Sequence, residues 1–328
     1  MARHSHPLGY EASVLFLGDG PLILAMKDAD ISSSAVSWSL NRRDLAGAWR
    51  VWRWLREHPA DVAHVHHGGV MLRLLCRMAG VSAVVQHVHG RIVESNGDSI
   101  AKLNLRAADA VIACSNAVAE CFPQGRAEVI YAGLETGARP HAPATSEGPL
   151  KLGVLGRLIP LKNVEGLINA VAHLAARGID VRVEVAGSGP SESSLRELVA
   201  SLGIADRVRF LGWRVDVDRL LSSWDALVMP SLEEGFPLSA LEAMAAARAV
   251  VASRVGGLGE LVVDGVTGYL LPAGDTGALA DCIAELACNR QRLATMGDAG
   301  WERAHGLFSA ARMAQQTVQV YDRLLSEA

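Results

Sequence analysis

Short apolar runs alternate with amphipathic stretches from one end of the chain to the other. In the first half the runs cover residues 13–17, 35–38, 62–66, 83–87, 110–113 and 128–131. In the second half they cover 151–155, 181–186, 208–211, 226–229 and 250–252. Segments of about 10–15 residues with helical spacing separate most of them. This alternation predicts an α/β fold of strand–helix–strand crossovers and parallel sheets. The pattern lapses at residues 133–149, GLETGARPHAPATSEGP, which are rich in Gly, Pro, Ala and Thr and read as a linker. The predicted organisation is one domain over residues 1–140 and a second over 150–309. A last amphipathic segment, 310–328, is expected to return to the first domain.

Length agrees with this division, because 328 residues exceed what one hydrophobic core usually supports. A net charge of -4 supplies no overall basic field for a nucleic acid. Cys76, Cys114, Cys121, Cys282 and Cys288 are scattered and form no C-x-x-C pair, which fits a reducing compartment without a disulfide framework. The start, MARHSHPLGY, has no apolar core of a signal peptide, and no run reaches the ~20 apolar residues of a membrane span. The expected location is the cytoplasm, with peripheral contact to the inner face of a membrane.

Two strand-end loops carry most of the candidate chemistry. In Gly156-Arg157-Leu158-Ile159-Pro160-Leu161-Lys162-Asn163, the glycine lets the chain turn and Asn163 is placed to cap the next helix. Arg157 and Lys162 read either as solvated loop charges or as two cations converging on one anion. The second loop is Pro230-Ser231-Leu232-Glu233-Glu234-Gly235-Phe236-Pro237, followed by a helix over 238–247. Amides of Gly235, Phe236 and Leu238 fall near that helix's N-terminus, where free N–H groups and the dipole favour phosphate. Pro237 suits its first position. Glu234 and Glu242 read either as acids compensating the dipole or as acceptors for sugar and ribose hydroxyls. Gly187 and the pair Gly256, Gly257 follow two further strands. They are turn residues or points of backbone approach to a ligand.

Two D-x-D tripeptides, Asp28/Asp30 and Asp216/Asp218, are about what chance supplies and sit where caps and turns favour Asp. No metal site is assigned to them.

In the first half, His64, His66 and His67 end one strand, and His87 and His89 end another. Alternate residues share a face, so His64 aligns with His66 and His87 with His89. They read as core or surface histidines, as cleft residues, or as zinc ligands, although no acidic or cysteine partner accompanies them. Ser115 reads as a helix cap or a cleft hydroxyl, and Asn116 follows it. Along residues 42–56, helical spacing gathers Leu45, Ala48, Trp49, Val51, Trp52 and Leu55 on one arc. Trp54 then falls on the opposite side with Arg43 and Arg50. Arg42, Arg53 and Arg56 add to a basic flank suited to an anionic membrane surface.

The ordered set GRLIPLK, AGSGP, VRFLGW, VMPSLEEGFPLSALEAMA, VVASRVGGLGELVVDGVTGYLLP and FSAARM…VYDRLL resembles the C-terminal domain of the family 4 retaining glycosyltransferases, the group 1 glycosyl transferases. The likeness spans essentially all of residues 150–328. It implies the GT-B fold, two Rossmann-like doubly wound domains facing each other across a cleft. It also implies transfer of a sugar, with retention and without a metal or other cofactor, from a UDP- or GDP-linked donor. The acceptor would be a carbohydrate or lipid-linked molecule in polysaccharide or glycoconjugate synthesis.

By this resemblance Arg157, Lys162, Gly235, Phe236 and Leu238 bind the donor diphosphate, and Glu242 holds the ribose. Glu234 and His89 act at the donor sugar. His66, His67, Ser115, Gly187, Gly256 and Gly257 are candidate cleft residues. Two departures stand out. Ala132 replaces the family's usual Asn before Gly133, and the family's first strand and Gly-rich loop have no counterpart before residue 13. The alternatives are a donor-binding paralogue without turnover and a GT-B sugar-nucleotide epimerase.

Overall fold

The first apolar run forms β1 (Ser13–Phe16), which follows the short α1 (Ala2–Ser5). After α2 (Leu22–Asp28), β2 (Ser32–Ala35) pairs with β1 in parallel. The structure is a computed structural model that describes residues 2–20, 22–40, 43–66, 69–90, 108–135, 137 and 148–327. The strand expected over 35–38 therefore lies earlier, with Ser32 opposite Ser13. Its half-exposed edge position accepts serines in the ladder. The apolar residues that follow pack through their side chains instead, and Trp38 is buried in the core.

Next come α3 (Leu45–Glu57), β3 (Val62–Val65), α4 (Gly69–Ala79), β4 (Ala83–Val88), β5 (Ala110–Ala113), α5 (Asn116–Ala119) and β6 (Ala127–Val129). Strands β3, β4, β5 and β6 form a parallel sheet in that order.

Helix α3 turns Ala48, Val51, Trp52 and Leu55 of the expected arc inward, but the arc is rotated so that Gly47 and Trp54 join it and Leu45 and Trp49 leave it. Gly47, Val51 and Leu55 are its buried stripe, with Trp54 packed beside them, whereas Leu45 and Trp49 are exposed. The reason is Gly47, on which a Cβ would collide with Trp38 and Asp44. The helix is drawn onto Trp38 at its smallest residue, and a hydrophobic count gives no weight to a glycine. Arg53 lies over the exposed Trp49 ring at 4.9 Å, and Arg50 donates to the Ser37 carbonyl at 2.7 Å. Arg42 lies outside the described residues.

The second half builds β7 (Leu150–Leu155), α6 (Val164–Ala176), β8 (Val181–Ala186), α7 (Glu192–Ser201), β9 (Val208–Gly212) and α8 (Val217–Ser223). It continues with β10 (Ala226–Met229), α9 (Leu238–Ala245), β11 (Ala249–Ser253), α10 (Leu258–Leu261), β12 (Gly268–Leu271), α11 (Thr276–Cys288) and α12 (Arg290–Leu307). All six strands are parallel, in the order β12-β11-β10-β7-β8-β9. This is the doubly wound order, and the direction of winding reverses between β7 and β10. Strands β10 and β11 are buried at every residue, as expected when helices cover both faces. Trp224, 1% exposed, lies flat on Gly153 of β7, where no Cβ would fit, and its ring N–H donates to Glu184 at 3.0 Å. The edge strand β12 was not legible in the pattern. Its run is short and opens on Gly268, whose Cβ would overlap the Val250 carbonyl.

The last helix, α13 (Ala310–Ser326), leaves this half. By contacts the chain forms two compact units, Met1–Gly133 with Ala310–Ala328, and Leu134–Ser309. Val318, Val320 and Tyr321 of α13 close a core with Val85, Ile112 and Ile130. No helix among the described residues is long and apolar enough to cross a membrane.

Candidate active site

In the unit Leu134–Ser309, the loops after β7, β8, β10 and β11 emerge side by side, because those strands are neighbours in the sheet. A reversal of winding opens a crevice at the carboxyl ends of the strands beside it, here β7 and β10. The loop after β7 carries Gly156, Arg157 and Lys162, and the loop after β10 carries Glu234 and Gly235.

The two loops are tied together. Lys162 Nζ lies 2.5 Å from Glu234 Oε1, and Ser231 Oγ donates to the same oxygen at 2.7 Å. Glu234 is 8% exposed, so its charge is compensated inside the protein by a cation and a hydroxyl. The Leu232 amide donates to the Leu161 carbonyl at 2.8 Å, and Asn163 Nδ2 donates to the Pro230 carbonyl at 3.1 Å. Asn163 stands at the N-cap position of α6, but its side chain bridges the loops and does not cap. Its φ of +47° belongs to the left-handed region that Asn tolerates better than most residues. Arg157, on the same loop as Lys162, is exposed and forms no ion pair with a described residue.

Glycines bring the loop backbones into contact. A Cβ on Gly187 would overlap the Gly156 carbonyl, one on Gly256 the Glu234 carbonyl, and one on Gly257 the Gly235 carbonyl. The Gly257 amide donates to that Gly235 oxygen at 2.9 Å. Both Gly187 and Gly256 have positive φ, +148° and +46°. The three therefore fix how the four loops pack, whatever else they touch.

Phe236 is buried against Phe308, ring centroids 5.5 Å apart, while Leu238 is exposed. Pro237 occupies the cap position of α9 and not its first helical position, which Leu238 takes. Having no polar side chain, Pro237 leaves the first-turn amides of α9 without a side-chain cap, the arrangement that favours an anion. Glu242 lies on the first turns of α9 and is half-buried. Burial, and then the negative charge of Asp218, push its carboxyl above the ordinary carboxylate range. Asp216, the other half of that D-x-D, pairs with Arg214 through both oxygens, at 2.7 and 2.5 Å.

In the other unit the histidines form a ladder. His64 and His66 stack at 4.7 Å, and His87 and His89 at 4.3 Å. His64 Nε2 lies 3.0 Å from His87 Nδ1, and His66 Nδ1 lies 2.7 Å from His89 Nε2. Burial pushes the His64 imidazole down to about 3 and the His87 imidazole down to about 2, so both are neutral. His67 lies outside the described residues. Ser115 is fully buried and caps α5, accepting from the Val118 amide at 3.2 Å, and Asn116 donates to the Tyr131 hydroxyl at 2.8 Å.

Residues 149–289 match the family described as glycosyl transferases group 1, and residues 1–137 match glycosyltransferase family 4. The chain is similar to the lipopolysaccharide core biosynthesis mannosyltransferase LpsB of Rhizobium meliloti. The two are 30% identical over 309 residues, covering 88% of this chain and 85% of that protein. It is also similar to the N-acetyl-alpha-D-glucosaminyl L-malate synthase of Bacillus anthracis, 32% identical over 167 residues, 51% of this chain. That match spans only 44% of the relative's length. Among solved structures, HepE of Anabaena in complex with UDP and glucose superimposes with a TM-score of 0.83 at 22% identity. The match covers 98% of this chain and 94% of that one. At that identity the likeness establishes the shared fold of parallel α/β units.

Proposed function

The chain belongs to glycosyltransferase family 4, and from that premise we propose that it moves a sugar from a nucleoside-diphosphate donor to an acceptor hydroxyl with retention of configuration. The observation that carries this reading is the Lys162–Glu234 pair at the winding reversal, with Arg157 on the same loop as Lys162. Breaking the bond between the anomeric carbon and the diphosphate leaves negative charge on the departing oxygen. Fixed cations and helix N–H groups already aimed there lower the barrier without reorganising. Arg157, Lys162 and the start of α9, with Gly235, Phe236 and Leu238, supply that positive end. They take the place a divalent ion would hold, so the transfer needs no metal or other cofactor.

Lys162 is shared between Glu234 and the incoming diphosphate. As the phosphate draws on the ammonium, the Glu234 carboxylate is released to accept hydroxyls of the donor sugar, while Glu242 accepts those of the ribose. The acceptor hydroxyl attacks on the face from which the diphosphate leaves, and its proton passes to the leaving phosphate oxygen. His89 is assigned to the sugar, with His66, His67 and Ser115 on the acceptor side. The UDP and glucose bound by the Anabaena relative support a uridine donor. The lipopolysaccharide role in the name of the Rhizobium relative supports a carbohydrate or lipid-linked acceptor. The site of action is the cytoplasmic membrane face, with contact through the exposed Trp49 and Arg53 of α3.

A thermal-shift screen across UDP, GDP, ADP and dTDP sugars tests the donor. One base should stabilise the protein as RT ln(1 + [L]/Kd), the UDP series first. Product analysis with that donor should then give free nucleotide and a new glycoside. A rearranged sugar nucleotide would instead indicate an epimerase, and stabilisation without any turnover a binding protein.

A further inference from the structure

The histidine ladder carries chemistry that the diphosphate clamp does not use. It follows from strand register. In the β3–β4 pair, His64 stands opposite Val85 and Val65 opposite Gln86, so the next residues along, His66 and His87, come level. His64 and His66 share a face of β3, and His87 points to the same side of β4. One ring nitrogen from each of His64, His66 and His87 then lies within 4.8 Å of the other two. A zinc ion bonded at about 2.0–2.1 Å holds tetrahedral nitrogens roughly 3.3 Å apart. The His64–His87 pair, at 3.0 Å between Nε2 and Nδ1, is already near that span, and the exposed His66 ring stacks beside both, its centroid 4.7 Å from His64 and 5.3 Å from His87.

Proton counting leaves one group over. The Tyr321 hydroxyl lies 2.5 Å from His64 Nδ1, and His64 Nε2 faces His87 Nδ1. A neutral imidazole carries a single N–H. If His64 donates to the tyrosine oxygen, its bare Nε2 accepts from His87 Nδ1–H, and His87 Nε2 is a bare lone pair. If the tyrosine donates, the chain reverses and His87 Nε2 carries the proton. Either way, the two nitrogens at the 3.0 Å span, His64 Nε2 and His87 Nδ1, share one proton that a metal would displace, and His87 Nε2, the other nitrogen of that ring, is buried without a hydrogen-bonding partner among the described residues. His87 as a whole is 4% exposed. A metal binds an imidazole through a bare ring-nitrogen lone pair. The Tyr321 hydroxyl on the far nitrogen of His64 is the kind of outer partner that fixes a ligating imidazole.

We propose that His64, His66 and His87 form a binding site for a divalent transition metal of the zinc type, with Tyr321 orienting His64. Imidazole ligands without carboxylates favour such ions over magnesium or calcium. The site belongs to the unit Met1–Gly133 with Ala310–Ala328, not to the unit that carries the diphosphate clamp, and does not depend on the transferase reading.

The test titrates the full chain, freed of any polyhistidine tag, with Zn²⁺ by calorimetry and with Co²⁺ by visible absorption. One equivalent should bind, and Co²⁺ should develop the d–d bands of a nitrogen-ligated tetrahedral or five-coordinate site. The exposed His66, changed to Ala, should weaken binding by at least about a hundredfold, the upper limit for losing an outer partner alone, with circular dichroism unchanged. Tyr321→Phe should weaken it by about 10–100-fold. Binding well below one equivalent, or Co²⁺ spectra and affinities identical in wild type and His66→Ala, would overturn the proposal.

Discussion

Lys162 and Glu234 are 72 positions apart in the chain and share one hydrogen bond of 2.5 Å across the reversal between β7 and β10. The pair is the clearest product of the doubly wound topology, because neither loop alone could neutralise a carboxylate buried to this degree. Lys162→Ala should lower kcat/KM about 10²–10³-fold, the range for removing one fixed electrostatic stabiliser of a leaving group. Nucleotide release under saturating acceptor measures it. A variant with unchanged turnover would remove Lys162 from the mechanism.

Glu242 gives a signed pH effect. Its carboxyl is raised above the ordinary value by burial and by Asp218. A raised acid favours the folded state while protonated, and that contribution is lost as pH climbs from the ordinary carboxylate range through the folded value. Glu242→Gln should therefore raise the Tm of the ligand-free protein at neutral pH and leave it unchanged at low pH. The same change should weaken stabilisation by the donor nucleotide. Melting curves across pH, with and without nucleotide, read both effects.

The glycines of the loop floor make a third case. Gly256→Ala combines a positive φ with collision against the Glu234 carbonyl. It should destabilise the protein by about 1–3 kcal/mol and displace the loop that holds Glu234. Urea denaturation and donor titration should fall together. Loss of stability with intact donor binding would separate the glycine from the site.

Ser115→Ala removes the cap of α5 and should cost about 1 kcal/mol by chemical denaturation. If Ser115 only caps, KM for donor and acceptor stays at the wild-type value. A raised acceptor KM would give its hydroxyl a second role.

Membrane contact through α3 is tested on anionic vesicles. Trp49→Ala with Arg53→Ala should abolish sedimentation that wild type shows at low salt, whereas a change at Trp54, which is packed in the core, would act by unfolding. Equal sedimentation of both proteins would assign the contact elsewhere.

Much of this was legible in the residues. Strands β7, β8 and β10 stand where apolar runs of strand length predict them: β10 is apolar and buried at every residue, and in β7 and β8 the polar Lys151, Arg182 and Glu184 fall at the less buried positions. The Gly156 and Glu234 loops could be located for the same reason, as the ends of those strands. Other features depended on partners far away in sequence. The face of α3 is decided by Trp38 seating on Gly47, and the start of β2 by its register with Ser13. Ser231 carries no pattern at all, and it enters the site only because its hydroxyl meets Glu234. Asn163 looked like a cap by position, but the neighbouring loop offered its side chain the Pro230 carbonyl. The metal-ligating arrangement of His64, His66 and His87 needed the β3–β4 register, which neither strand states alone.

The return of α13 bears on how the protein is made. Val85, Ile112 and Ile130 leave the ribosome early, but Val318, Val320 and Tyr321, which cover them, are synthesised only after the whole of Leu134–Ser309. At about 5–20 residues per second, that interval lasts on the order of ten to thirty seconds. During it the nascent first unit carries an open apolar face, a natural client surface for a chaperone, and the second unit can finish folding before the first.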